Sequence, residues 1–292
     1  MNHPSLDPRL NAYRPELADI RLRGKVEASA FVEGTLRRVV AATAPLRRVA
    51  RIDAPIDTEL LRGETARVFE DTAEGWSWVQ SEADGYVGFA PAAALSEAAP
   101  APTHLVTALR TFVYPGPDLK LPPITTLSIG SRVAVDGEAV PRGTPYRLLA
   151  RGEGAIVAVH LAPLTAPPEA DFVAVAERFV GTPYLWGGRS GAGLDCSGLI
   201  QLSLMFAGHA APRDTDMQRD AIGNLVPGGV EATLRRGDLV YWRGHAGILV
   251  DGERLLHASG YHMAVVIEPI AAAVRRIAAT AGPPLCVRRL SL

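Results

Sequence analysis

The second half of the chain is organised around Leu194-Asp195-Cys196-Ser197-Gly198, which runs directly into the apolar sequence LIQLSLMF at 199–206. Four glycines precede it, at positions 187, 188, 191 and 193, so the stretch reads as a loop that becomes a helix. The first turn of a helix has unpaired N–H groups and a partial positive charge, and Asp195 or Ser197 can cap it. We therefore expect Cys196 at a helix N-terminus, with a lowered pKa that favours the attacking thiolate.

The chain has two cysteines, and the surrounding sequence distinguishes them. Free cysteines are usually buried apolar residues rather than nucleophiles. Cys286 fits that description, because it lies in the apolar run Pro284-Leu285-Cys286-Val287 without a polar setting. Cys196 does not fit it, since a glycine-rich loop before a helix is a place where backbone approaches a ligand. Cys196 is therefore the candidate nucleophile.

Composition excludes several classes of protein. The 292 residues are 48% hydrophobic and carry a formal net charge of −1, which argues against nucleic acid as a partner. Two cysteines cannot form a disulfide framework, and no run of about 18 apolar residues predicts a membrane span. The opening residues 1–8 lack the basic and apolar regions of a signal peptide, so we expect a cytoplasmic location.

Turn signals and linkers divide the chain into four segments. An arm at 1–42, interrupted early by prolines, is expected to pack on a small β-barrel at 43–97. In that barrel, aromatic strands flank the turn Ala83-Asp84-Gly85, which is a strong hairpin signal. A weak repeat of the pattern predicts a second barrel at 103–164, and a further linker precedes a third domain at 170–292. Both barrels resemble bacterial SH3-like domains.

The third domain reads as helices followed by a run of strands that contains His245 and His257. The loop Asp251-Gly252-Glu253 separates the two strands that carry these histidines. If all three residues form the loop, residue 250 pairs with 254 and residue 247 with 257, and both histidines share one face. A two-residue turn would place them on opposite faces. A catalytic role for both therefore requires the odd-length loop.

A cysteine at a helix N-terminus opposite a histidine on a sheet is an arrangement used for nucleophilic catalysis by a thiol. A third polar residue orients the base, and His257 can do this for His245. Two alternatives stay open. A lone histidine beside a strand is more often structural, and Cys196, His245 and His257 together could ligate a metal. The metal site ranks lower because the chain lacks Cys-x-x-Cys and His-x-x-x-His spacings.

Six motifs, taken together, resemble those of the NlpC-type papain-like cysteine peptidases. They are Pro183-Tyr184-Leu185-Trp186-Gly187-Gly188, Asp195-Cys196-Ser197-Gly198-Leu199, Pro212-Arg213-Asp214-Thr215, Arg236-Gly237-Asp238-Leu239-Val240, His245-Ala246-Gly247-Ile248 and Leu256-His257-Ala258-Ser259. The resemblance implies an α+β fold in which a papain-like domain, with helices packed on an antiparallel sheet, follows the two SH3-like barrels. It implies Cys196 as nucleophile, His245 as base and His257 as the orienting third member.

The same resemblance implies a substrate. The family cleaves the γ-D-glutamyl to diamino acid bond of murein peptides, and members built like this chain look like enzymes that trim released muropeptides for recycling. The expected partner is the tripeptide L-Ala-γ-D-Glu-diamino acid, and no cofactor is expected. The substrate-binding positions implied by the family are Tyr184, Asp195, Ser197, Thr215, Glu64 and Tyr86.

Asp195 prompts a more specific hypothesis. Because it precedes the nucleophile, we expect its carboxylate at the mouth of the cleft, where it can pair with the free α-ammonium of L-Ala. Such a contact is worth about 1.5–3 kcal/mol when shielded from water. An intact stem peptide has this amine tied up in an amide, so we expect an exo-acting enzyme. Two other functions stay open, namely a non-catalytic wall-binding protein and a thiol-dependent acyl or amide transferase.

Overall fold

The computed structural model describes residues 6–291. Residues 1–5, which begin the segment searched for a signal peptide, and residue 292 lie outside the described residues. The chain divides into two compact units between Ala166 and Pro167. Within residues 6–291, no helix combines the length and apolar character needed to cross a membrane.

Short strands build the first part of the first unit, up to residue 96. They are β1 (Leu17–Asp19), β2 (Ala30–Val32), β3 (Thr35–Val39), β4 (Thr43–Leu46), β5 (Thr58–Leu61), β6 (Thr65–Asp71), β7 (Trp76–Ser81), β8 (Val87–Pro91) and β9 (Leu95–Ser96). Single 3₁₀ turns lie at Ile20–Leu22 and Ala92–Ala94. The main sheet has the order β8-β7-β6-β3-β9, and β4 pairs with β5. Alternating residues of these strands bury an apolar core that includes Val39, Leu46, Leu60 and Val79.

Strand β3 lies in the segment that composition assigned to the arm, yet it pairs antiparallel with β6, Thr35 opposite Val68. It joins the sheet because Val39 enters the core. The arm therefore ends before β3. The predicted hairpin is present between β7 and β8, with Gly85 at a φ of 78° in its turn, a conformation that glycine adopts readily.

The N-terminal arm covers the aromatic side of this barrel, as expected. The guanidinium of Arg14 lies 4.5 Å from the ring centre of Trp78, a cation–π contact. The backbone N–H of Val87 donates to the carbonyl of Arg9 at 2.8 Å, and the side-chain amide of Gln80 donates to the carbonyl of Leu10 at 2.8 Å. The arm is thus hydrogen-bonded to the barrel as part of one fold.

A second set of strands follows in the same unit. They are β10 (His104–Val106), β11 (Arg110–Val113), β12 (Thr125–Ser128), β13 (Arg132–Val133), β14 (Val135–Ala139), β15 (Tyr146–Leu149), β16 (Gly154–Val157) and β17 (Leu161–Pro163), with 3₁₀ turns at Pro141–Gly143, Ala150–Gly152 and Ala158–His160. They form small antiparallel sheets ordered β13-β10-β17, β11-β12 and β14-β15-β16. Their own apolar core includes Val106, Leu127, Leu149 and Ile156.

The second unit combines helices with one large sheet. Its elements are α1 (Phe172–Glu177), β18 (Arg189–Ser190), β19 (Gly193–Leu194), α2 (Cys196–Phe206), α3 (Thr215–Ala221), a 3₁₀ turn at Gly229–Glu231, β20 (Asn224–Leu225), β21 (Leu239–Trp242), β22 (His245–Leu249), β23 (Arg254–Ser259), β24 (Ala264–Pro269), α4 (Ile270–Ala281) and β25 (Cys286–Arg289). The sheet has the order β20-β25-β21-β22-β23-β24, and every neighbouring pair is antiparallel.

Two helices of the second unit pack on the large sheet. Helix α2 is buried over nearly its whole length, as its apolar sequence predicts, and it packs against β22 and β23. Helix α4 was not predicted from the sequence. It packs Ile270, Ala273, Val274 and Ile277 on the sheet core. These positions follow helical spacing, so the signal was present although we did not use it.

Candidate active site

Cys196 is the first residue of α2, as the loop-to-helix sequence predicts. Asp195 caps the helix, and its Oδ1 accepts the backbone N–H of Gly198 at 2.7 Å. Packing requires glycine at position 198, because a Cβ there would collide with the carbonyl oxygen of Gly188. The glycine loop can therefore lie directly against the first turn of the helix.

Asp195 does not stand free at the mouth of the cleft. Its Oδ2 accepts the N–H of Gly187 at 3.0 Å and Nη2 of Arg213 at 2.6 Å, and its Oδ1 accepts Nη1 of Arg213 at 2.9 Å. The Arg213 side chain is only 1% exposed, so this is a buried, two-pronged ion pair. The carboxylate thus holds the helix cap, the glycine loop and a buried cation together. Its role in binding the ammonium of the substrate stays a prediction.

The pKa of Cys196 also differs from the expectation. Burial and, after it, the charge of Asp195 raise the pKa of the thiol to about 12, and backbone hydrogen bonds from Ala246 and Ser197 only partly oppose this rise. The partial positive charge of the helix N-terminus does not lower the pKa overall, because the sulfur is buried beside a carboxylate. The thiol is therefore neutral and needs a base. The Ala246 contact also places the sulfur beside β22, next to His245.

The hairpin that carries the two histidines has the odd-length loop that catalysis requires. Leu249 lies opposite Leu255 and Ile248 opposite Leu256, and the N–H of Val250 donates to the carbonyl of Arg254. The predicted register is therefore confirmed. Nε2 of His245 lies 2.7 Å from Nδ1 of His257. Glycine at position 247 leaves room for the His257 side chain, since a Cβ there would lie 3.1 Å from the Cβ of His257.

Both imidazoles are neutral at ordinary pH. Burial and, after it, the neighbouring His257 lower the pKa of His245 to about 3. Burial likewise lowers the pKa of His257 to about 4, although its hydrogen bond to Glu268 acts in the opposite direction. Both ring nitrogens of His257 are engaged, one by His245 and the other by Glu268. His257 therefore has no ring nitrogen left for the metal site considered above.

Sequence analysis missed two residues behind His257. Oε1 of Glu268 lies 2.8 Å from Nε2 of His257, and Oε2 of Glu268 accepts Nη1 of Arg276 at 2.7 Å. Burial raises the pKa of Glu268, but the hydrogen bonds from Arg276 and His257 outweigh it and hold that pKa at about 2. A signal existed, because His257 pairs with Val266 across the sheet and Glu268 lies two residues further on the same face.

The remaining predicted positions of the second unit lie around the start of α2. Tyr184 is half-buried and close enough to Cys196 and Asp195 that their charges, after burial itself, raise the pKa of its hydroxyl. The Ser197 hydroxyl accepts Nη1 of Arg213 at 2.8 Å. Thr215 begins α3, which is tied to α2 by Gln218, whose side-chain amide donates to the carbonyl of Ser197 at 2.9 Å.

The two predicted positions of the first unit lie in its first barrel. Glu64 is buried in the turn between β5 and β6, and its Oε2 accepts the N–H of Leu61 at 2.9 Å. Tyr86 is also buried and begins the chain segment that leads into β8.

A thiol at a helix N-terminus beside a sheet-borne histidine pair, within an α+β fold, defines a papain-like cysteine peptidase. Family comparison sharpens this class. Residues 181–276 match the NlpC/P60 family, and residues 46–95 match the bacterial dipeptidyl-peptidase SH3 domain.

Two curated relatives span most of the chain. A gamma-D-glutamyl-L-lysine dipeptidyl-peptidase of Bacillus subtilis is 28% identical over 226 residues, covering 70% of this chain and 73% of its own. Dipeptidyl-peptidase 6 of Lysinibacillus sphaericus is 26% identical and is matched over 86% of its length. The crystal structure of an NlpC/P60 family protein from Bacillus cereus has a TM-score of 0.69 at 20% identity and covers 87% of this chain, which establishes the shared fold.

Proposed function

We propose that this cysteine peptidase hydrolyses the bond between γ-D-glutamate and the diamino acid of murein peptides, with Cys196 as nucleophile, His245 as base and His257 as orienting residue. The observation that carries the assignment is the 2.7 Å hydrogen bond between His245 and His257, where His245 lies on the strand whose Ala246 contacts the Cys196 sulfur. Two relatives that span most of the chain support the substrate class, since both are named dipeptidyl-peptidases.

The neutral thiol and neutral imidazole imply general-base catalysis. His245 removes the thiol proton as the sulfur attacks the γ-carbonyl carbon, and the tetrahedral oxyanion is stabilised by N–H groups at the start of α2. The imidazolium then protonates the leaving amine of the diamino acid, and a γ-glutamyl thioester remains on Cys196. Water, deprotonated by His245, hydrolyses the thioester and restores the thiol.

We further propose that the substrate needs a free N-terminal L-Ala and comes from released muropeptides in the cytoplasm. This requirement keeps Asp195 as the predicted partner of the L-Ala ammonium, with the same carboxylate paired to Arg213. It is supported by the dipeptidyl-peptidase names of the relatives and by the family resemblance. The assignment of six positions to substrate binding stays a prediction from the resemblance, namely Tyr184, Asp195, Ser197, Thr215, Glu64 and Tyr86. A Glu64→Gln variant tests it through its effect on KM.

Mass spectrometry of reaction products tests the proposal directly. Free L-Ala-γ-D-Glu-diamino acid should yield the dipeptide and the free diamino acid, whereas the N-acetylated tripeptide and whole sacculi should stay intact. Running the tripeptide with lysine and with diaminopimelate separates the two diamino acids.

Variants of the two cysteines and the base provide the controls. Cys196→Ala should abolish turnover, and His245→Ala should lower kcat by about 10²–10⁴-fold, the usual contribution of general-base catalysis. Cys286→Ala is the matched control and should keep full activity, because Cys286 lies at the start of β25 outside the proposed site. Hydrolysis of the N-acetylated tripeptide at the same kcat/KM would contradict the free-amine requirement.

A further inference from the structure

Two consecutive hydrogen bonds connect the proposed base to an acidic side chain. Nε2 of His245 lies 2.7 Å from Nδ1 of His257, and Nε2 of His257 lies 2.8 Å from Oε1 of Glu268. A neutral imidazole has one N–H donor and one lone-pair acceptor. Each ring in such a chain must therefore donate on one side and accept on the other. The group at the far end decides the direction for both rings.

Glu268 is an acceptor only. Its second oxygen, Oε2, accepts Nη1 of Arg276, and this ion pair keeps the carboxylate charged. Nε2 of His257 must then carry the proton and donate to Glu268, which leaves Nδ1 of His257 with a lone pair. His245 consequently donates from its Nε2. The lone pair of neutral His245 is left on Nδ1, the ring nitrogen outside this chain.

We propose that Glu268, held by Arg276, is a positioning residue that sets the direction of this hydrogen-bond chain and keeps His245 in the tautomer whose Nδ1 accepts the Cys196 proton. The inference rests on the proposed roles of Cys196, His245 and His257. The thiol proton moves to Nδ1 of His245 and later to the leaving amine. Nε2 of His245 keeps its own proton throughout, and neither His257 nor Glu268 gains or loses one.

Replacing the carboxylate by an amide tests the direction of the chain. In Glu268→Gln the amide N–H₂ can donate to Nε2 of His257, which reverses both bonds and places the His245 proton on Nδ1, where no base remains for the thiol. We expect kcat to fall on the order of 10–100-fold, the scale of residues that orient a functional imidazole, with KM nearly unchanged. Glu268→Asp keeps a carboxylate and should recover part of the loss.

The matched control is another carboxylate–arginine pair of the second unit. Asp238 accepts Nε and Nη2 of Arg289 at 2.6 and 2.7 Å, and it also accepts the backbone N–H of Arg235 at 2.9 Å. Asp238→Asn should lower stability without changing kcat per folded molecule. A purely structural role of Glu268 predicts that the two variants behave alike.

Nitrogen-15 NMR of the histidine rings reads the tautomers without substrate. In the native protein both His245 and His257 should carry their proton on Nε2, and in Glu268→Gln the Nδ1–H form of His245 should become populated. Assignment uses His245→Gln and His257→Gln. A native His245 protonated on Nδ1, or a Glu268→Gln protein with unchanged kcat, overturns the proposal even if some variants fold poorly.

Failure of the proposed function would look different. A Cys196→Ala protein that still cleaved the murein tripeptide would remove the catalytic assignment, while the native tautomers would still report whether Glu268 directs the chain.

Discussion

Two carboxylate–arginine pairs lie behind the two halves of the proposed catalytic pair, and they differ in what they bind. Asp195 and Arg213 lie behind Cys196, with side chains 10% and 1% exposed, whereas Glu268 and Arg276 lie behind the histidines and are 13% and 24% exposed. Asp195 uses its oxygens on backbone N–H groups of the loop and helix. Glu268 gives one oxygen to an imidazole. The first pair fixes the backbone and the second fixes the position of a proton.

The two pairs should contribute differently to the free energy of unfolding because they differ in burial. Removing one partner of a fully buried ion pair leaves an uncompensated charge and costs about 3–5 kcal/mol. Exposed pairs contribute only about 0–1 kcal/mol. The Asp195 pair should therefore dominate stability, and the Glu268 pair should show its main effect in activity.

The largest expected effect comes from Arg213→Met. It leaves the Asp195 carboxylate buried without its cation, so we expect a loss of about 3–5 kcal/mol in the unfolding free energy of the second unit. Arg276→Met, in a more exposed pair, should cost about 1 kcal/mol. Denaturant unfolding of both variants measures the difference. Equal losses would show that the two pairs do not differ in the way proposed.

The next largest effect is expected from His257, the residue hydrogen-bonded to the proposed base. His257→Asn keeps an oxygen that can accept the His245 Nε2–H, so we expect kcat to fall about 10–100-fold while activity remains detectable. His257→Ala removes that acceptor and should lose more. Steady-state kinetics on the free tripeptide measures both. A His257→Ala enzyme as active as the parent would assign His257 a structural role and remove the orienting chain.

The pH dependence is a third test. With pKa values of about 3 for His245 and about 4 for His257, the base is neutral above these values and is lost as pH falls through them. The acid limb of kcat/KM should therefore lie below about pH 5, since this ratio reports the free enzyme. A limb between about pH 6 and 7, where an ordinary histidine titrates, would contradict the buried neutral base.

Stability must be followed in the same experiment. Unfolded histidines titrate near about 6.5, so the unfolded chain binds more protons than the native one as pH falls from there towards the native pKa values. Stability contributed by the neutral histidines is therefore lost over that range. Circular dichroism at each pH separates this loss from a loss of the base.

The smallest effect is expected from Ser197→Ala. Its hydroxyl shares Arg213 with Asp195, so its loss should cost about 1 kcal/mol of stability and leave kcat unchanged. Ser203→Ala on the same helix is the control, because that hydroxyl bonds only within α2, to the carbonyl of Leu199. A large rise in KM for Ser197→Ala alone would support the substrate-binding role that the resemblance implies for Ser197, and a loss of kcat would contradict this prediction.

Features set by local spacing were predictable from the sequence. The cap before Cys196 and the Asp84-Gly85 hairpin follow from neighbouring residues, and the shared face of His245 and His257 follows from the length of one loop. The pairing of Asp195 with Arg213 could not be predicted in this way. These residues are 18 positions apart, and their contact depends on how α2 and the glycine loop pack. The pKa of Cys196 was misjudged for the same reason, since burial comes from packing.

Glu268 and Arg276 are an intermediate case. The contact between Glu268 and His257 can be predicted once both are known to lie on the same face of the sheet, but this requires the register of β23 with β24. Arg276 is reached only through α4, whose periodicity we overlooked. A prediction of α4 from its apolar spacing would have placed Arg276 near Glu268.

The arm that lies over Trp78 has a consequence for the first barrel. Arg14 is stacked on this ring, and Arg9 and Leu10 are hydrogen-bonded to neighbouring strands, so the chain itself covers part of the aromatic side. A tethered segment acts as a competitor at an effective concentration on the order of millimolar. A ligand for the ring face under Arg14 must outcompete a partner that cannot be diluted away. The rest of this side is open, because Arg9 and Arg14 line a cavity together with Trp78 and Tyr86, and a ligand there would contact the arm as well as the barrel.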